Sequence, residues 1–129
     1  IDRTAERYIE MLKISATSKN QVLSQLSGGN QQKVVLGRWL DATPDVLLLN
    51  EPTRGVDIGA KVEIYALIDD LAKKGLSIIL ISSEIPEVLG MCDRVLVMNK
   101  GEISGEFENC ELTQETLLRA ASKIGGDGL

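Results

Sequence analysis

Apolar residues recur at two periods along this chain, and the alternation of those periods divides it into elements. Ala5, Tyr8, Ile9 and Leu12 fall at helical spacing and predict an amphipathic helix over 2–13, followed by a polar connector over 15–25. Ser27 is a good N-cap for a second helix, and Gly28 and Gly29 ease the entry of the backbone. Val34, Val35, Trp39 and Leu40 are the expected buried face of that helix. Pro44 and Asp45 interrupt, and the unbroken apolar run Val46 to Leu49 predicts a strand buried on both faces.

The next helix is capped by Asp57, with Ile58, Val62, Tyr65, Ile68 and Leu71 as its stripe. Lys73 and Lys74 suit its last turn, and Gly75 ends it. Ser77 to Ile81 predicts a second buried strand, and Pro86 the first turn of a short helix. Arg94 to Met98 predicts a third strand, and Lys100-Gly101 a turn into a fourth near Ile103 to Phe107. Thr113 caps a last helix running to about Ser122, and Gly125, Gly126 and Gly128 predict a fraying tail. Strands alternating with helices give an α/β fold with a mostly parallel sheet flanked by helices. The expected division places a helical part at 1–44 and the sheet-bearing core at 45–129.

Composition narrows the function classes. Hydrophobic residues are 43% and charged residues 26% of the 129, the balance of a soluble globular domain. Aromatics are only 3%, so the core must rest on aliphatic side chains, as suits a parallel sheet. The net charge of −5 offers no basic footprint for nucleic acid. The longest apolar runs are far short of a membrane span. Histidine is absent, which removes His-based acid–base chemistry, and Cys92 and Cys110 are not spaced as metal ligands. They are expected to be reduced thiols.

Two strings carry candidate chemistry. In Leu26-Ser27-Gly28-Gly29-Asn30-Gln31-Gln32-Lys33-Val34, a helix N-terminus offers unpaired N–H groups and the positive end of the macrodipole to an anion. Its glycines admit a phosphate without a Cβ in the way, and Ser27 adds a hydroxyl. Taken alone, Ser-Gly-Gly reads more simply as an ordinary capped helix with a flexible entry. In Val46-Leu47-Leu48-Leu49-Asn50-Glu51-Pro52-Thr53, a strand delivers polar groups at its C-terminal end, where ligands gather in α/β sheets. Two weaker strings follow: Arg54-Gly55-Val56-Asp57, and Ser82-Ser83-Glu84 after the second strand.

Together these strings resemble an ABC-transporter ATP-binding cassette over Leu26 to about Phe107. The first resembles the signature motif, with Asn30 in place of the Gln. The second resembles a Walker B strand, in which an Asp holds Mg²⁺ and the next Glu orients the attacking water. The third resembles the D-loop, where Asp57 would face the partner cassette. Two further positions depart from the family: Asn50 stands where the Mg²⁺-binding Asp is usual, and Ser83 stands where a catalytic His is usual. An amide is a much weaker ligand for a hard dication than a carboxylate, and a serine hydroxyl cannot take up and release a proton at neutral pH as an imidazole does. No G-x-x-x-x-G-K-[ST] string occurs, so the chain is expected to begin after the phosphate-binding loop.

The wording around Glu51 and Glu84 looks like the second cassette of duplicated ribose- or galactose-type importer ATPases. That resemblance implies a sugar-transporting ATPase, a translocase in its full-length form, using ATP and Mg²⁺. Ser27, Gly28, Gly29, Asn30, Gln31 and Asp57 would contact nucleotide. Glu51, Ser83 and Asn50 would form a weakened site of the cassette's own. Implied partners are a first cassette in the same polypeptide, transmembrane permease subunits and, indirectly, a sugar-binding protein, but no nucleic acid. The implied location is cytoplasmic, peripheral on the inner face of the cell membrane. A cassette that binds nucleotide without hydrolysing it is the alternative, and a DNA-maintenance ATPase is disfavoured by the negative charge.

Overall fold

A computed structural model describes residues 2–122, so the expected glycine tail lies outside the described residues. The elements run α1 (Asp2–Met11), α2 (Gly28–Leu40), β1 (Val46–Asn50), α3 (Ile58–Lys73), β2 (Ser77–Ile81), α4 (Ile85–Met91), β3 (Arg94–Asn99), β4 (Glu102–Glu108) and α5 (Gln114–Ala121). A single turn of 3₁₀ helix, Leu23–Gln25, interrupts the connector before α2. The chain forms two compact units, Ile1–Ile81 and Ser82–Leu129. That boundary follows β2, whereas the division expected from the motifs, at 44/45, falls inside the first unit.

Local chemistry sets the ends of the elements. Ser27, Asp57 and Thr113 each accept a hydrogen bond from the backbone N–H three residues on, at Asn30, Ala60 and Thr116. Gly75 has φ +99° and ends α3 in a left-handed turn, with its N–H donating to Ala72 O and Leu76 N–H to Leu71 O. Lys13 does the same after α1 with φ +51°, its N–H donating to Glu10 O and Ile14 N–H to Ile9 O. A lysine has a Cβ, so this conformation costs what a glycine would avoid, on the order of 1 kcal/mol.

In the first unit, β1 and β2 pair in parallel, with Leu47 opposite Ile78 and Leu49 opposite Leu80. Leu12, Ile14, Leu36 and Leu47 form the buried core, ringed by Tyr8, Ile9, Leu49, Leu67, Leu71 and Ile78. One sheet face therefore packs on the helices. The other presents Val46, Leu48, Ile79 and Ile81, with Leu48 60% and Ile79 52% exposed. The expectation of strands buried on both faces is corrected here. Among the described residues each strand has only the other as a neighbour, and the helices cover one side.

The buried faces of two helices also differ from expectation. In α2 the buried residues are Gly29, Lys33, Leu36 and Gly37, while Val35 and Trp39 are exposed. In α3 they are Ile64 and Ile68, while Ile58 and Val62 are exposed. The reason in α2 is size. A Cβ on Gly37 would lie 3.0 Å from Leu12 Cδ1, and one on Gly29 would lie 2.5 Å from Ala60 Cβ. Neighbouring elements approach α2 at Gly29 and Gly37, where its side chains are smallest, and Val35 and Trp39 turn outward.

In the second unit, β3 and β4 form an antiparallel hairpin closed by Lys100-Gly101. Both turn residues have positive φ, +50° and +81°, as a two-residue turn that matches strand twist requires. The pairing slips by one residue between Val97 and Met98. Parallel pairing among the described residues is thus confined to β1 and β2. Asn109 donates from its amide to Leu89 O and Cys92 O at 2.8 and 2.6 Å, satisfying carbonyls at the end of α4. Cys92 and Cys110 are free thiols, and burial, then the charges of Asp93 and Glu87, push the Cys92 thiol above its ordinary value.

Candidate functional site

Five of the expected nucleotide-contacting residues lie at the first turn of α2, and their hydrogen bonds assign each a distinct job. Of the helix's first N–H groups, Asn30 N–H is taken by Ser27 Oγ at 3.3 Å. The N–H groups of Gly28 and Gly29 remain outside the helix's own hydrogen bonding, as geometry dictates for the first two helical positions. Asn30 Nδ2 also donates to Ser27 Oγ, at 2.9 Å. Gln31 faces the polypeptide, its Nε2 donating to Leu23 O and Leu26 O at 3.2 and 3.0 Å. It fastens the preceding 3₁₀ turn to the helix.

The same turn packs against the segment that follows β1. Gln32 Nε2 donates to Pro52 O at 2.7 Å, and a Cβ on Gly28 would lie 3.8 Å from Gly55 O. Gly29 meets Ala60 one turn into α3, and Asp57 caps that helix through Ala60 N–H at 2.8 Å. The structure thereby brings Ser27, Gly28, Gly29 and Asp57 to one corner of the first unit. Gly29 has a structural reason to be glycine apart from any ligand. Gly29→Ala is expected to cost about 1–3 kcal/mol through overpacking. Ala60→Gly in the same chain should recover most of it, as read from thermal unfolding. If Ala60→Gly recovers nothing, the close approach is not what Gly29 serves.

Glu51 stands directly after β1, with φ +49° and its N–H donating to Ile81 O at 2.8 Å. A non-glycine residue held left-handed at a strand end is strained, and such strain gathers at functional sites. Arg54 N–H donates back to Glu51 O, closing a turn through the buried Pro52 and Thr53. Asn50 lies on the exposed face of the sheet. Ser83 is exposed and lies in the second unit, where Ser82 Oγ accepts from Glu84 N–H at 3.0 Å before α4.

Whether these residues suit Mg²⁺ follows from the donor set. Asn50 and Glu51 supply one amide and one carboxylate, and among the described residues no three His, Cys, Asp or Glu gather as metal ligands. Mg²⁺ is held by one or two carboxylates together with substrate phosphates and water. The residues present do not make a Mg²⁺ site by themselves.

Two residues were given no role by the motif reading. Gln32 ties α2 to the turn after β1. Lys33, 3% exposed, donates from Nζ to Lys13 O at 3.1 Å and to Glu63 Oε2 at 2.7 Å. Their signal was their place in the Gln-Gln-Lys string, four and five residues beyond Gly28. Partners 20 and 30 residues away left no trace in the local pattern.

The solved structures that this architecture resembles are ATP-binding cassettes of the ABC class. The ABC transporter family profile matches residues 1–54. The chain superimposes on the cassette MJ1267 with a TM-score of 0.78 at 28% identity, covering 92% of this chain and 48% of that one. It matches the dimeric bacterial cassette MJ0796 with a TM-score of 0.71 at 25% identity, covering 83% and 46%.

Within that class the sequence is similar to the ATP-binding proteins of sugar importers. It is 53% identical over 120 residues to the xylose import ATP-binding protein XylG of Geobacillus kaustophilus (strain HTA426), covering 93% of this chain and 24% of that protein. It is 56% identical over 115 residues to the ribose import ATP-binding protein RbsA of the same strain, covering 89% and 23%. The chain spans about a quarter of the length of the curated relatives it matches.

Proposed function

We propose that this chain is part of the ATP-hydrolysing subunit of a monosaccharide importer, and that its own contribution is the Ser27 helix end. The observation that carries this reading is the first turn of α2. Ser27 Oγ accepts from both Asn30 N–H and Asn30 Nδ2, while Gly28 and Gly29 keep N–H groups outside the helix ladder. A hydroxyl with both lone pairs engaged has only its proton to offer. Ser27 O–H and the two glycine N–H groups are then donors at the positive end of a helix dipole, suited to a phosphate.

That phosphate belongs to ATP held by the phosphate-binding loop of a neighbouring cassette, the first of two in one polypeptide. Binding draws the cassettes together, and loss of the terminal phosphate removes the contact and lets them part. Permease subunits convert the motion to transport, a sugar-binding protein delivers the sugar, and the subunit lies on the cytoplasmic face of the membrane. Asp57, fixed as a cap, faces the partner cassette.

Asn50 supports a second role for the same chain. With an uncharged amide at the Walker B position and a serine at residue 83, the cassette's own site binds nucleotide and turns it over slowly, even though Glu51 is in place. The test compares two serines in the full-length protein reconstituted with its permease. Ser27→Ala should collapse ATPase and sugar uptake, and Ser83→Ala should leave both within about twofold, since a serine hydroxyl supplies no base at neutral pH. Equal effects of the two substitutions would refute the assignment.

A further inference from the structure

We infer that Asn30 is a positioning residue for the Ser27 hydroxyl, and that the strap Lys13–Ser15 sets Asn30 for that task. The inference rests on the proposed contact between Ser27 and a nucleotide phosphate. A carboxamide can present either its oxygen or its nitrogen, and here the choice is forced. Ser15 N–H donates to Asn30 Oδ1 at 3.0 Å, so the oxygen must face Ser15 and the nitrogen must face Ser27. Nδ2 then donates to Ser27 Oγ at 2.9 Å, and the backbone N–H of Asn30 donates to the same atom at 3.3 Å. Ser27 cannot turn its proton back onto Asn30, because every Asn30 group within reach is itself a donor.

The strap is held independently of Asn30. Lys13 takes its left-handed conformation at the end of α1, and its carbonyl receives Lys33 Nζ at 3.1 Å. Lys33 lies one helical turn beyond Asn30, nearly wholly buried. Ile14, between Lys13 and Ser15, is buried in the core with Leu12 and Leu36. Core packing and the Lys33 bond therefore place the Ser15 N–H, the Ser15 N–H orients the Asn30 amide, and the amide orients Ser27. No residue of this series after Ser27 needs to touch the nucleotide.

The discriminating substitution is Asn30→Asp. It keeps the side-chain shape and still accepts from Ser15 N–H, but its second oxygen accepts where Nδ2 donated. Ser27 then donates its proton to residue 30 and loses it as a donor to phosphate. In the full-length protein, Asn30→Asp should lower kcat of the ATPase by at least about tenfold, approaching the loss caused by Ser27→Ala. In a Ser27→Ala background the same substitution should change kcat less than about threefold, because there is no hydroxyl left to misdirect.

Each outcome of this cycle decides something. If Asn30→Asp costs the same factor in both backgrounds, residue 30 acts through its charge or through the fold, and the inference is overturned while the Ser27 reading stands. If Ser27→Ala is itself silent, the Ser27 reading fails and the inference goes with it. A loss from Asn30→Asp that vanishes in the Ser27→Ala background supports the inference.

Discussion

Ser27→Ala is expected to lower the ATPase rate of the full-length protein by on the order of 100-fold, the cost typical of removing one preorganised donor from the charge that develops in a transition state. The same substitution removes a helix cap, which is worth about 1 kcal/mol of stability. The two effects must be separated, and Ser27→Asp separates them. Aspartate caps helices as well as serine does. This chain shows it at Asp57, where the carboxylate accepts from Ala60 N–H at 2.8 Å. Ser27→Asp should therefore leave the melting temperature near that of the parent. Its carboxylate has no proton to give and sets a negative charge against the phosphate. Activity should fall at least as far as in Ser27→Ala. If capping were the whole task of Ser27, the aspartate variant would hydrolyse ATP at the parental rate.

How far such a site shows in a sequence depends on the reach of the interactions that build it. The caps at Ser27, Asp57 and Thr113, the stop at Gly75 and the turn at Lys100-Gly101 were all legible. Each is decided within about four residues by side-chain oxygens or by tolerance of positive φ. The faces of α2 and α3 were only partly legible: Val34, Leu40, Ile68 and Leu71 do pack inward, the others do not. Reading apolarity alone favours Val35, Trp39, Ile58 and Val62, yet the close contacts form at Gly29, Gly37 and Ala60, which carry little hydrophobicity. Burial of Lys33 defeats the same reading, because a long aliphatic stem with a paired end enters a core that its charge alone would forbid. Glu51 was singled out by motif, but its left-handed backbone follows from the turn between β1 and α3 and has no sequence marker. The Asn30 bond to Ser15 spans 15 residues and depends on the placement of Ser15 beside the buried Ile14.

That dependence on the core gives the second large effect. Leu12 is 1% exposed and packs with Ile14, Leu36 and Leu47, joining the end of α1 to α2 and β1. Leu12→Ala should lower the stability of the first unit by about 3 kcal/mol, the transfer cost of the lost carbons plus a residual cavity. The readout is the midpoint of urea unfolding at unchanged slope. Gly37 makes the mechanism checkable, because a methyl there would sit 3.0 Å from Leu12 Cδ1. Gly37→Ala alone gains about 1 kcal/mol of helix propensity but crowds Leu12, so its net effect is small or unfavourable. In the Leu12→Ala background that methyl enters vacated space, and the crowding disappears. Gly37→Ala should then be stabilising, and the two substitutions should be non-additive by roughly 1–2 kcal/mol. Strict additivity would mean that α1 does not pack on α2 through this pair.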